Sequence, residues 1–156
     1  MYPSYLNSYN NGSLQEKADR LLESLKDCQI CPRRCQVDRI SGEIGICRTG
    51  KKAKVYSYLS HHGEEPPISG ERGSGTIFFA NCNLRCVYCQ NYEFSQLDQG
   101  KEAGEQELAA LMLSLQKEGC HNINFVTPTH VLSQILRALV VAIPQGLRVP
   151  LVYNTS

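Results

Sequence analysis

The chain has 156 residues, 42% of them hydrophobic and 20% charged, which suits one globular domain with its own core and excludes a disordered chain. Sixteen basic and fifteen acidic residues leave a net charge of +1, so overall electrostatics do not draw the protein to nucleic acid. No apolar run approaches the roughly eighteen residues that cross a bilayer, and Met1 to Tyr5 lack the basic region and apolar core of a secretion signal, so a cytoplasmic protein with no membrane partner is expected.

Residues 1–12, rich in Tyr, Asn, Ser and Gly with no period, read as a loose arm. Ser13 opens a helix, with Ser13 and Glu16 as its capping box and Leu14, Ala18, Leu21, Leu22 and Leu25 on one face. From 28 to 50 the chain is punctuated by Pro32, Gly42, Gly45 and Gly50 and is too short to build a core, which makes a bound metal its organiser. Lys54 to Ser60 reads as a strand, and a turn-rich stretch through Pro66, Pro67, Gly70, Gly73 and Gly75 follows. The chain thus divides into the arm, a helix with a cysteine-rich metal-binding segment over 13–70, and a core over 71–156.

Thr76 to Ala80 is a continuous apolar run, the pattern of a strand buried on both faces. Leu108, Leu111, Met112 and Leu115 then mark a helix closed by Gly119. The pattern repeats, with a strand over Asn122 to Val126, a helix carrying Leu132, Ile135, Leu136 and Leu139 that ends before Pro144, and a strand over Pro150 to Asn154. Strand and helix alternating at this spacing imply a parallel α/β sheet with right-handed crossovers, the repeating unit of a βα barrel.

Seven of the eight cysteines fall into two tight groups with spacings that suit metal coordination, which points to a reducing compartment. Cys120 stands alone and reads as a buried, inert thiol. Cys28, Cys31, Cys35 and Cys47 have a CxxC pair, a gap of three and a gap of eleven residues. Four thiolates so spaced close either a structural zinc site or a complete iron–sulfur cluster, and the spacing does not choose. Cys82, Cys86 and Cys89 form CxxxCxxC directly after the apolar strand. Three thiolates hold three corners of a [4Fe–4S] cubane and leave one iron open, the arrangement of a reactive site.

That loop, Phe79-Ala80-Asn81-Cys82-Asn83-Leu84-Arg85-Cys86-Val87-Tyr88-Cys89-Gln90-Asn91, resembles the signature of radical S-adenosylmethionine enzymes, with Tyr88 as the aromatic before the last cysteine. With Gln90-Asn91-Tyr92 and the flanking CPRRCQVDR and HGEEPPISGERGSGTIFF segments, residues 28–156 resemble PflX-type relatives of the pyruvate formate-lyase activating enzymes. The resemblance implies the N-terminal half of a partial (β/α)6 barrel behind a cysteine-rich segment, with the cluster loop at the C-terminal end of the first barrel strand. It implies that the open iron chelates S-adenosylmethionine, whose reductive cleavage yields a 5'-deoxyadenosyl radical that takes a hydrogen from substrate. The implied partners are a flavodoxin-like or ferredoxin-like electron donor and a protein substrate, the glycine of a glycyl-radical enzyme. Because the chain stops at Ser156, after the third strand, it is expected to be part of a longer protein.

By the same resemblance Tyr88 lies beside the adenine, the alternative being packing against its own loop. Asn91 either serves the cluster or caps the loop. Phe125-Val126-Thr127-Pro128-Thr129 stands where activating enzymes carry Gly-Gly-Glu-Pro, so Thr127 either contacts the methionine amino group or caps a helix with Pro128 at its first position. Asn154 and Ser156 are candidates for the ribose or methionine moiety. His61, His62, Glu64 and Glu65 either handle protons or metal, or form a solvated turn. The other function class is a non-catalytic iron–sulfur or zinc module, or an electron carrier.

Overall fold

The structure, a computed structural model, describes residues 2–155. Five strands form one sheet: β1 (Ala53–His61), β2 (Ser74–Phe79), β3 (Lys101–Ala103), β4 (Ile123–Val126) and β5 (Leu151–Asn154), in spatial order β3-β1-β2-β4-β5. The fold is mixed α/β. β2, β4 and β5 run parallel in register, with Ile77 beside Phe125 and Phe125 beside Tyr153. β1 pairs antiparallel with β2, and the short β3 pairs antiparallel with β1. The three parallel strands expected from sequence are therefore present, and two antiparallel strands extend the sheet beyond β2. The sheet is open, with β3 and β5 at its edges, and no barrel closes among the described residues.

Alternation along the parallel strands sorts side chains to two faces. Ile77, Phe79, Ile123 and Phe125 join one core with the apolar stripes of α5 (Glu105–Lys117) and α6 (Leu132–Ala142). Leu108, Met112 and Leu115 recur at helical spacing on α5, and Ile135, Ala138, Leu139 and Ala142 on α6, so the helices pack on each other and cover that face. Burying each Leu or Ile there contributes about 1.5–3 kcal/mol. Gly75 lets β2 lie close beneath α5, since a Cβ there would stand 2.8 Å from the Asn122 carbonyl and 3.0 Å from Leu115 Cβ.

The opposite face carries Thr76 and Asn124, paired across β2 and β4 and both fully buried. Asn124 Nδ2 donates to Glu64 Oε1 at 3.0 Å, while its Oδ1 has no partner. Glu64 thus belongs to the sheet's polar face, where a solvated turn was the alternative offered by sequence. His61 meets Phe78 edge-on and His62 stays exposed, ahead of the short helix α3 (Pro66–Ser69).

The N-terminal region departs from expectation in two ways. Tyr5–Asn10 forms a helix, α1, where a loose arm was expected, because Leu6 buries and the Tyr5 hydroxyl donates to the Val149 carbonyl at 2.8 Å. The expected Ser13–Glu16 capping box does not form in α2 (Ser13–Glu23). Gly12, at φ 81°, is the cap residue, and the Ser13 hydroxyl donates instead to the Ser8 carbonyl. α2 docks on α6, with Leu14 and Ala18 buried. A 3-10 turn over Ser24–Asp27 then leads to Cys28, and residues 28–52 hold no helix or strand.

Candidate metal centre

The loop from Ala80 to Asn91 leaves the C-terminal end of β2 and carries Cys82, Cys86 and Cys89. All three line one cavity of about 120 Å³, together with Asn91, Phe94, Ser95 and Thr127. Asn81, buried at φ 69°, turns the chain out of the strand: its N–H donates to the Phe94 carbonyl at 2.8 Å and its amide to Asp98 Oδ1 at 2.7 Å. Asp98 is in turn paired with Lys54 at 2.7 Å, and that ammonium first, then Asn81, holds its carboxyl below the usual range. Leu84 N–H points at Cys82 Sγ at 3.4 Å, and the Ser95 hydroxyl lies 3.3 Å from Cys89 Sγ. Hydrogen bonds to sulfur are among the contacts that tune an iron–sulfur cluster. α4 (Tyr92–Gln96) follows, and Gln96 Nε2 donates to the Cys86 carbonyl at 2.8 Å.

Two of the polar candidates join the cysteines. Asn91 and Thr127 both line the cavity. Thr127 sits at φ 46° after β4, in a region that a β-branched residue rarely adopts, and its side chain makes no cap bond to the 3-10 turn Pro128–Val131. The capping alternative is therefore not realised in its hydroxyl. Asn154 is exposed at the end of β5, and its carbonyl accepts from Thr127 N–H at 2.9 Å. Tyr88 is 86% exposed and stands apart from the cavity wall, and Ser156 lies outside the described residues. A cluster of aromatic rings, absent from the sequence reading, backs the loop: Phe94 stacks on Tyr56 at 4.5 Å and meets Phe78 edge-on.

Cys28, Cys31, Cys35 and Cys47 also converge, around a second cavity of about 10 Å³. Burial pushes the Cys31 thiol up, and the adjacent Cys47, Cys28 and Cys35 add to the shift against a bond from the Arg33 backbone. Around both cavities the sulfurs share a space without being closed on one point, since no three His, Cys, Asp or Glu side chains are set to hold an ion among the described residues. The donor chemistry still fits: soft thiolates suit a cluster or zinc, and each group lines a single cavity. Among the described residues seven other than glycine have positive φ, and five of them, Arg34, Gln36, Arg48, Asn81 and Arg85, adjoin a cysteine. Strained turns of this kind concentrate at ligand sites.

The two groups are laced together. Arg33 donates to the carbonyls of Asn83 and Leu84, Arg85 Nη1 reaches the Ile46 carbonyl at 3.4 Å, and Asn81 Nδ2 the Arg48 carbonyl at 3.4 Å. His130, fully buried, forms part of the four-cysteine wall, and burial pushes its ring down to about 4, so it is neutral. The backbones of Ala80 and Thr127 come near enough to favour its protonated form, yet neither ring nitrogen makes a well-formed hydrogen bond.

A loop of three cysteines behind a buried parallel strand, opening on a cavity, is an arrangement that fits an iron–sulfur centre. Residues 68–143 match the family of 4Fe-4S single cluster domains, a match that spans the three-cysteine loop and begins past Cys47. The chain is similar to an uncharacterized protein of Methanocaldococcus jannaschii, 33% identical over 140 residues that cover 84% of this chain and 39% of that protein. It thus spans about two fifths of the length of the curated relative it matches. No solved structure matches it. No helix among the described residues is long and apolar enough to cross a membrane.

Proposed function

We propose that this chain is the cluster-bearing part of a radical S-adenosylmethionine enzyme of the PflX type, related to pyruvate formate-lyase activating enzymes. The observation that carries the reading is the grouping of Cys82, Cys86 and Cys89 with Asn91 and Thr127 around one cavity at the C-terminal end of β2 and β4. Three thiolates leave one iron of a cubane without a protein ligand, and the polar groups beside it suit the amino and carboxylate ends of a methionine moiety. The cluster, when bound, supplies the electron for reductive cleavage of S-adenosylmethionine.

The chain's own residues bind and orient. Asn81 and Gln96 hold the loop, Leu84 N–H and the Ser95 hydroxyl adjoin the sulfurs, and the Phe94, Tyr56 and Phe78 rings pack apolar surface beside it. Tyr88, exposed on the loop, is free to fold over an adenine. Asn154 is the last residue of β5, at the same end of the sheet, and it and Ser156 serve the ribose or methionine part. The barrel that these strands begin is half of a partial (β/α)6 barrel. The electron comes from a flavodoxin-like or ferredoxin-like donor in the cytoplasm, and the hydrogen donor is a substrate such as the glycine of a glycyl-radical enzyme.

The test is anaerobic reconstitution followed by electron paramagnetic resonance of the reduced cluster. A spectrum that changes when S-adenosylmethionine is added, with 5'-deoxyadenosine formed under reductant, supports the enzyme. A well-formed cluster whose spectrum ignores the cofactor and yields no 5'-deoxyadenosine identifies an electron carrier or structural module instead.

A further inference from the structure

We infer that Cys28, Cys31, Cys35 and Cys47 close as four thiolates around a single zinc ion, with Arg39 as the buried counter-cation of that centre. The inference is independent of the radical reading, since it concerns different ligands and holds whether or not the chain cleaves S-adenosylmethionine.

Charge is the first argument. Arg39 is 1% exposed and forms no ion pair with a carboxylate among the described residues. Its guanidinium donates to the Gly50 carbonyl at 3.1 and 2.9 Å, to the His130 carbonyl at 3.0 Å and to Cys28 Sγ at 3.6 Å. Carbonyl oxygens solvate a cation without neutralising it, and a buried charge with no opposite charge is strongly unfavourable. Four neutral thiols leave Arg39 in that state. Four thiolates on one divalent ion outweigh its charge and leave a negative centre touching the guanidinium through Cys28.

Size is the second argument, and it chooses between the two metal centres that charge allows. The four-cysteine cavity is about 10 Å³, against about 120 Å³ beside Cys82, Cys86 and Cys89 in the same chain. About 10–15 Å³ of such space holds one water. The smaller cavity takes one atom-sized guest and excludes a cubane of four irons and four sulfides. A lone ion in an all-thiolate tetrahedron is most simply zinc.

The loop is built to hold such an ion. Cys28 N–H donates to Val37 O and Gln36 N–H to Cys28 O, which ties off the first knuckle, and Arg34 N–H turns back to Cys31 O. Gly45 brings the second knuckle against the first, since a Cβ there would stand 2.8 Å from Cys35 Sγ. Each cysteine has one side-chain torsion with which to meet the ion. By fixing the turn that bears Arg33, the ion fixes the donor that grips the Asn83 and Leu84 carbonyls in the cluster loop.

The test uses the whole chain, purified anaerobically from cells supplied with both iron and zinc, and its Cys82→Ser/Cys86→Ser/Cys89→Ser variant. Both are expected to keep about one zinc per chain, and zinc-edge X-ray absorption should show a shell of sulfur near 2.3 Å with no iron neighbour. The absorption measurement on the unaltered chain decides the matter even if the triple variant does not fold. Iron in the triple variant, as one ion or a cubane, overturns the inference, as does folded protein without metal. Arg39→Met should weaken zinc retention against a chelator about 10–100-fold, with Arg39→Lys intermediate because it keeps the charge. Equal retention in all three would remove Arg39 from the centre.

Discussion

Arg33 Nε donates to the carbonyl oxygen of Asn83 at 2.9 Å, fastening the turn between Cys31 and Cys35 to the turn between Cys82 and Cys86. Its second arm takes the Leu84 carbonyl at 2.9 Å. A planar guanidinium suits two neighbouring acceptors, which a lysine cannot match. The two cysteine groups, distant in sequence, therefore behave as one mechanical unit.

Arg33→Ala should loosen the cluster loop without disturbing the fold. The side chain is exposed, so the loss is about 1 kcal/mol, a fall in Tm of about 2–4 °C at this chain length. The sharper readout is the time for which a reconstituted cluster survives a chelator, expected to shorten while zinc content stays constant. Unchanged survival would show that the bridge does not position the loop.

Cys86→Ala should abolish the 4Fe-4S cluster and leave the metal of the four-cysteine site in place. Iron and zinc analysis of the same sample reads both at once. Loss of both metals would mean that the groups cannot form independently.

Thr127 separates strain from chemistry. Thr127→Gly removes the side chain from a φ of 46°, which relieves about 1 kcal/mol of strain against a similar entropic cost, so Tm should move by no more than about 2 °C. Thr127→Val keeps the shape without the hydroxyl, and should blunt the spectral response of the cluster to S-adenosylmethionine. A full response in the valine variant removes the hydroxyl from cofactor binding and leaves only the backbone there.

Tyr5→Phe tests whether α1 belongs to the fold. Losing the bond to the Val149 carbonyl should cost about 1 kcal/mol at neutral pH. Burial pushes the Tyr5 hydroxyl from 10.0 up to about 12, against a smaller pull from Arg148. The raised value means that its contribution is complete below pH 10 and is lost as pH rises toward 12, where the unfolded chain has released the proton. The gap in Tm between the two proteins should accordingly close over that range. A gap that is absent at pH 7, or constant to pH 12, would detach the helix from the core.

Much of the architecture was legible because its signals are local. Ser74–Phe79 is buried almost throughout, as a continuous apolar run implies, and the stripes of α5 and α6 fall at helical spacing. What stayed hidden has non-local causes. The Tyr5–Asn10 helix has no period of its own and is held by Val149, at the far end of the chain. β3 is three residues long and exists because the edge of β1 is there to pair with. The capping box at Ser13 failed because Gly12 could take the left-handed cap and left the hydroxyl to Ser8.

For the site, sequence alone delimited the candidate ligand sets, since the spacing of cysteines on a short loop limits which sulfurs can share a metal. It also placed Cys82 behind a buried strand, from the apolar run that precedes it. Tertiary structure decided what no spacing encodes: that Asn91 and Thr127 reach the cysteine cavity while Tyr88 stands outside its wall. It also decided that the buried charge of Arg39 ends at Cys28, and that one cavity is about a twelfth the size of the other. Burial, charge matching and cavity volume are properties of how distant segments meet, so they come into being only when the chain has folded.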